Sequence, residues 1–289
     1  YHPLVRVEIQ EKNYSFLLDL GSTEKLYLSK PVFDQIIRTE SKNLVTLYDL
    51  RGHLYQWPVY SVPDVKIDSN KALQLEIVEE STQFHENTCL WKATKRSTRP
   101  DSHGRIGWQF FKDSCTLIDF PNSSIFKAKS VEDLENDGVL KIDHFIPIPF
   151  TIEDGVLVVS IETDLGKNRV ILDTGSTFCS VKKSKVVPDK VVSFSSGKSC
   201  FSSSKLIIEG CNFDYWDFAL TDFTDLMKAD GLLGSDFFLE HAVCLDFKNQ
   251  IAYIQKPSGI LATQWKRGKY YLTQFLLRNF SDFSKVEDL

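Results

Sequence analysis

The chain has 289 residues, 42% of them apolar, and a formal net charge of −5. That is enough apolar material for two compact cores, and a single domain of this size would be unusual. The acidic balance argues against nucleic acid as a partner, and no apolar stretch reaches the length of a membrane-spanning helix.

In chain order, Leu4-Val5-Arg6-Val7-Glu8-Ile9 alternates apolar and polar residues as a half-buried strand does. An apolar run then ends in Asp19-Leu20-Gly21-Ser22-Thr23. Ser29-Lys30-Pro31 reads as a helix start, with Val32, Phe33, Ile36 and Ile37 on one face. Leu44–Tyr48 and Leu54–Tyr60 flank the turn-rich Asp49-Leu50-Arg51-Gly52-His53 and predict a long β-hairpin. Pro58 places its strand at an edge or a bulge. Residues 85–103 carry Lys92, Lys95, Arg96 and Arg99 and read as a solvated cationic loop.

Four blocks recur in the second half. Leu157–Glu162 echoes the first strand, and Val170-Ile171-Leu172-Asp173-Thr174-Gly175-Ser176-Thr177 echoes the first aspartate loop. Gly231-Leu232-Leu233-Gly234 matches Gly104-Arg105-Ile106-Gly107, and Cys244-Leu245-Asp246-Phe247 matches Leu117-Ile118-Asp119-Phe120. Four blocks in the same order predict an internal duplication, with units far longer than a solenoid repeat. Leu4 lies fifteen residues before Asp19 and Leu157 sixteen before Asp173, which suggests one extra residue in the second hairpin turn. The predicted division is a first lobe over 1–130, a connector over 131–147, a second lobe over 148–256 and a tail over 257–289. In the second lobe, Val191–Phe194 and Leu206–Ile208 flank a polar insert and predict another hairpin, and Phe223–Met227 reads as a short helix. In the tail, Trp265, Tyr270, Leu272, Phe275, Leu276 and Phe280 allow an amphipathic helix. Such a helix packs on the body or, alternatively, contacts a membrane or a second chain.

Of the six cysteines, Cys200 and Cys211 are the nearest local pair for a disulfide, while Cys244 inside an apolar strand favours buried thiols. His85 and Cys89 have helical spacing but no second ligand pair, so no metal is expected. Tyr1 in place of an initiator methionine sets the expectation of a processed N-terminus and a secreted or extracytoplasmic setting.

The repeated blocks resemble the two-lobed aspartic proteinases of the pepsin and retropepsin group. That family carries an apolar pair, Asp-Thr-Gly-Ser/Thr, and a later apolar-apolar-Gly in each lobe. Ile171-Leu172-Asp173-Thr174-Gly175-Ser176 and Leu232-Leu233-Gly234 match it, and the resemblance covers roughly 2–255. It implies an all-β, bilobal pepsin-like acid-protease fold with a few short helices. It implies catalytic carboxylates at Asp19 and Asp173, sharing one proton and activating a water. Gly21, Ser22, Gly175 and Ser176 then support the carboxylates, and Thr174 reaches across to the other loop. A flap hairpin, with Tyr48, Gly52 and Tyr55 as candidates, covers a peptide or protein substrate. No cofactor is implied, and a chain carrying both halves is expected to act as a monomer. Leu20 replaces the hydroxyl residue of the motif and Arg105 an apolar one. These departures motivate an alternative, a weak or inactive binding or inhibitory module on the same fold.

Overall fold

The alternation of Val7, Ile9, Tyr14, Phe16 and Leu18 turns one side of the first hairpin into the core. A computed structural model describes residues 4–48, 54–66, 73–80, 102–193, 199–223 and 228–257. Strands β1 (Leu4–Ile9) and β2 (Lys12–Asp19) pair antiparallel. Their turn residues Gln10 and Glu11 have φ of 49° and 66°, the left-handed turn that matches strand twist. With β3 (Leu26–Ser29), β4 (Thr39–Tyr48), β5 (Leu54–Lys66), β6 (Leu73–Glu80) and β7 (Gly104–Gly107) they form one sheet, ordered β1-β2-β7-β3-β6-β5-β4. The register of β5 breaks between Val62 and Val65, and its end pairs back onto β1 at Glu8–Lys66, so the sheet curls on itself.

Strands β8 (Cys115–Asp119) and β9 (Ser124–Ala128) lead to a helix at Val131–Asn136, whose N-cap Ser130 accepts from the Asp133 amide at 3.2 Å. Then come β10 (Phe145–Pro149), β11 (Thr151–Glu153), β12 (Val156–Thr163), β13 (Gly166–Leu172) and β14 (Ser180–Lys182). They are followed by β15 (Val191–Ser193), β16 (Ser199–Ser203), β17 (Ile207–Ile208), β18 (Cys211–Asn212), β19 (Trp216–Thr221) and β20 (Gly231–Leu233). Last among the described residues are β21 (Val243–Asp246) and β22 (Ile251–Gln255). The strands from β11 to β20 make the second lobe's sheet. A further five-stranded sheet, ordered β10-β22-β21-β8-β9, joins strands from both halves.

The duplication is plain in the strand pairing. β1–β2 and β12–β13 are antiparallel hairpins, and β2–β7 and β13–β20 are parallel pairs. Both hairpins have two-residue turns, Ile9 pairing Lys12 and Thr163 pairing Gly166. The extra turn residue expected from the sequence is therefore not there. Leu4 pairs Leu17 and Val158 pairs Ile171, so Val158, not Leu157, is the counterpart of Leu4. Letter similarity had matched neighbouring apolar residues that face opposite sides of the sheet.

Other expectations change in detail. The helix at Lys30–Phe33 is a single turn, and Val32, Phe33 and Ile36 are buried while Ile37 is 75% exposed. The Gln10 side chain fixes that outward turn, donating to the Ile37 carbonyl at 2.8 Å and accepting its amide at 2.9 Å. Pro58 pairs with Leu44 beyond Val59–Val78, the last β5–β6 pair, so β5 is an edge on that side there. Within the polar insert of the second lobe, β16 rather than Leu206–Ile208 pairs with β15. Cys200, Phe201 and Ser203 are buried, so enough of the insert faces the core to make it a strand. Cys200 and Cys211 are both free thiols. The tail helix, Gly52, most of the cationic loop, Cys89 and residues 224–227 lie outside the described residues.

Candidate active site

Each parallel strand pair delivers one aspartate. Leu17, Leu18 and Asp19 on β2 align with Arg105, Ile106 and Gly107 on β7. In the other lobe Leu172 aligns with Leu233, and the Asp173 amide donates to the Leu233 carbonyl at 2.9 Å. The apolar residues before each aspartate are buried, so the chain leaves the core at the carboxylate.

The two loops meet. A Cβ built on Gly21 falls 2.6 Å from Cγ of Asp173, and one on Gly175 falls 2.4 Å from Cγ of Asp19. No side chain fits at either place, so glycine is what lets each backbone approach the opposite carboxyl. Asp19 Oδ1 accepts the Gly21 amide at 3.0 Å, and Asp173 Oδ1 accepts the amides of Gly175 at 2.9 Å and Ser176 at 3.1 Å. Asp173 is also hydrogen-bonded to Asp19. Burial first, then the negative charge of Asp19, then that hydrogen bond push the Asp173 carboxyl from 3.8 up to about 8. The proton on Asp173 is thereby favoured, because two adjacent carboxylates do not both ionise easily.

Thr174 braces the loops. Its Oγ1 donates to the Leu18 carbonyl at 2.7 Å and accepts the Leu20 amide at 3.0 Å. Leu20 has no hydroxyl to return these bonds, and its side chain is instead fully buried in the main core. From below, Ser235 Oγ donates to the Thr174 carbonyl at 2.6 Å. The lobes are pinned again at Gly155, whose carbonyl accepts from Trp108 Nε1 at 2.8 Å and Thr23 Oγ1 at 3.2 Å.

The two carboxyls differ in their outer partners. Ser22 Oγ donates to Asp19 Oδ2 at 2.7 Å, whereas Ser176 Oγ turns to the Phe178 carbonyl at 3.0 Å. The expected hydroxyl support therefore exists at Asp19 only, because Ser176 sits on an exposed part of its loop and bonds within it. Arg105 Nη1 also reaches Asp19 Oδ2, at 3.0 Å. Arg105 stands out in the sequence as a departure from the motif, without a visible link to Asp19. Strand alternation carries the signal: Arg105 aligns with Leu17, two residues before the Asp19–Gly107 pair, so Arg105 and Asp19 share a face.

Of the flap candidates, Tyr48 and Tyr55 lie on β4 and β5, the arms of the hairpin. The Tyr55 ring sits 6.1 Å from Trp57, in a small cluster with Tyr27 and Val59. Trp57 in turn makes an edge contact with Tyr27 at 6.5 Å, which links the hairpin to the strand beside the aspartate loop. Among the described residues, no group of three or more His, Cys, Asp or Glu side chains is placed to hold a metal.

Curled β-sheets in two lobes, joined by a shared sheet with paired aspartate loops between them, make this the bilobal fold of pepsin-like acid proteases. A solved aspartic proteinase from Irpex lacteus shares it, with a TM-score of 0.53 over 88% of this chain and 94% of that one at 12% identity. No family model matches the chain, and no curated protein matches it significantly.

Proposed function

We propose that the chain is an aspartic endopeptidase that hydrolyses peptide bonds with a water held between Asp19 and Asp173. The observation that carries this reading is the hydrogen bond between the two carboxyls, each held by amides of its own glycine loop. The ionised member takes the water proton and the protonated member hydrogen-bonds the scissile carbonyl, which is general acid–base catalysis in one site. The hairpin of β4 and β5 is read as the flap over an extended peptide. The resemblance to the proteinase from Irpex lacteus supports the fold on which this chemistry rests.

The test is cleavage of a peptide library from mildly acidic to mildly alkaline pH. Turnover is expected, with a loss of about 10²–10⁴-fold in Asp19→Asn and in Asp173→Asn. Blockade by a statine-type inhibitor is expected as well. A second reading, a binding module without turnover, draws on the Arg105–Asp19 ion pair and the missing hydroxyl at Leu20. Binding of peptides without cleavage at any pH would favour it.

A further inference from the structure

The dyad is built from near-identical loops, yet its surroundings are lopsided. Arg105 donates from Nη1 to Asp19 Oδ2 at 3.0 Å and to Ser22 Oγ at 2.9 Å. Both charged side chains are largely shielded, 11% exposed for Arg105 and 8% for Asp19. The guanidinium carbon lies 4.6 Å from the centre of the Tyr27 ring, an aromatic face that steadies a cation. The corresponding residue of the second lobe is Leu232, buried among Val158, Ile171, Phe223 and Ala229. Among the described residues no cation is paired with Asp173.

We infer that Arg105 is a positioning residue that fixes Asp19 as the ionised member of the dyad and so leaves the shared proton on Asp173. The inference rests on the endopeptidase reading and assigns the two roles within it. Asp19 Oδ2 is taken up by Ser22 and Arg105, so Oδ1, which accepts only the Gly21 amide from its own loop, is the oxygen assigned to the water. Asp19 takes a proton from the water as the water oxygen bonds to the carbonyl carbon. Asp173 gives its proton to the carbonyl oxygen, forming the tetrahedral diol. On collapse, the leaving nitrogen takes the proton held by Asp19 as the C–N bond breaks. A diol hydroxyl returns a proton to Asp173, so protons and charge balance.

Asp173 faces Asp19 from the other lobe, Tyr27 faces Arg105 from β3, and Glu24 lies against Tyr27 from the loop before it, its amide donating to the Tyr27 hydroxyl at 3.2 Å. Burial pushes the Tyr27 phenol up, against the opposing pull of Arg105, so it stays neutral near Asp19. Burial and the neighbouring Asp19 charge hold the proton on Asp173 above the ordinary carboxylate range, while the fixed Arg105 cation favours negative charge on Asp19.

Two measurements test this. In the pH profile of kcat/KM, Arg105→Leu is expected to move the acidic limb up by about 1–3 pH units. The basic limb should move less, and Arg105→Lys should restore much of the acidic limb. A merely structural role for Arg105 would lower activity at every pH with both limbs in place, and that result overturns the inference. The second measurement is a carbon-13 carboxyl titration of the intact wild-type protein, which needs neither turnover nor a variant that folds. Asp19 is expected to lose its proton first and Asp173 last, and the reverse order overturns the inference. Absence of cleavage by the wild type at all pH values would sink the endopeptidase reading, while the titration would still decide the role of Arg105.

Discussion

At the scale of single residues the site works by difference. Asp19 has a hydroxyl and a guanidinium on its outer oxygen, and Asp173 has amides and a neighbouring carboxylate. This difference has a consequence for stability. The folded-state carboxyl of Asp173 titrates at about 8 against 3.8 ordinarily, so between these values the folded protein holds a proton that the unfolded chain has released. Stability from this group therefore falls as pH rises through that window and is unaffected below it. Asp173→Asn keeps an oxygen for the Gly175 and Ser176 amides but has no proton to hold. It is expected to be more stable than wild type by about 1–3 kcal/mol at neutral pH, with the gain vanishing in acid. Urea denaturation at a series of pH values checks this, and a pH-independent difference would contradict it. That two aspartates meet was legible in the sequence, because the apolar run, Asp, Gly and hydroxyls occur twice. The Arg105 contact was not, since strand alternation points to it only once the parallel register of β7 on β2 is known.

At the scale of elements, the two loops are held by one side chain, which makes Thr174 a joint between lobes. Its hydroxyl is buried and makes both cross-loop hydrogen bonds. Thr174→Val keeps the shape but leaves the Leu18 carbonyl and the Leu20 amide without their partner. Orphaned buried backbone groups are expensive, so a loss of about 2–4 kcal/mol is expected. A further fall of about 100-fold in kcat is expected with KM little changed, because slight displacement of reacting groups is costly. Thermal unfolding and steady-state kinetics on the same preparation separate the two effects, and unchanged kcat would contradict the second. The strands that carry the repeat were legible because strong alternation or a continuous apolar run marks them. β16 was not, because Ser199 to Ser203 reads as loop by composition, and only packing of Cys200 and Phe201 into the core makes it a strand. Ile37 failed for the opposite reason: helical spacing was extended past a turn that a distant glutamine holds open.

At the scale of the molecule, two lobes built on the same strand pairing are not separable bodies. The sheet ordered β10-β22-β21-β8-β9 takes strands from both halves, with Cys115 to Ile118 of β8 paired against Val243 to Asp246 of β21. One buried cluster runs from Val7 and Phe16 through Leu18 and Leu172 to Phe237 and Ile254. Trp108 stacks on Phe247 at 5.8 Å while donating to Gly155, so a ring that follows the first lobe's glycine block is held by the second. Opening either lobe alone would expose the edge of β8 or β21 and a share of that cluster to water, an outcome that apolar burial strongly opposes. The expectation is a single calorimetric transition whose van't Hoff and calorimetric enthalpies agree. Two resolved transitions would show that the lobes melt separately and that the shared sheet is weak. The dyad depends on the same coupling, since neither loop completes the site alone. Activity and tertiary signal are therefore expected to be lost together as temperature rises, with no interval in which the folded protein has parted its aspartates.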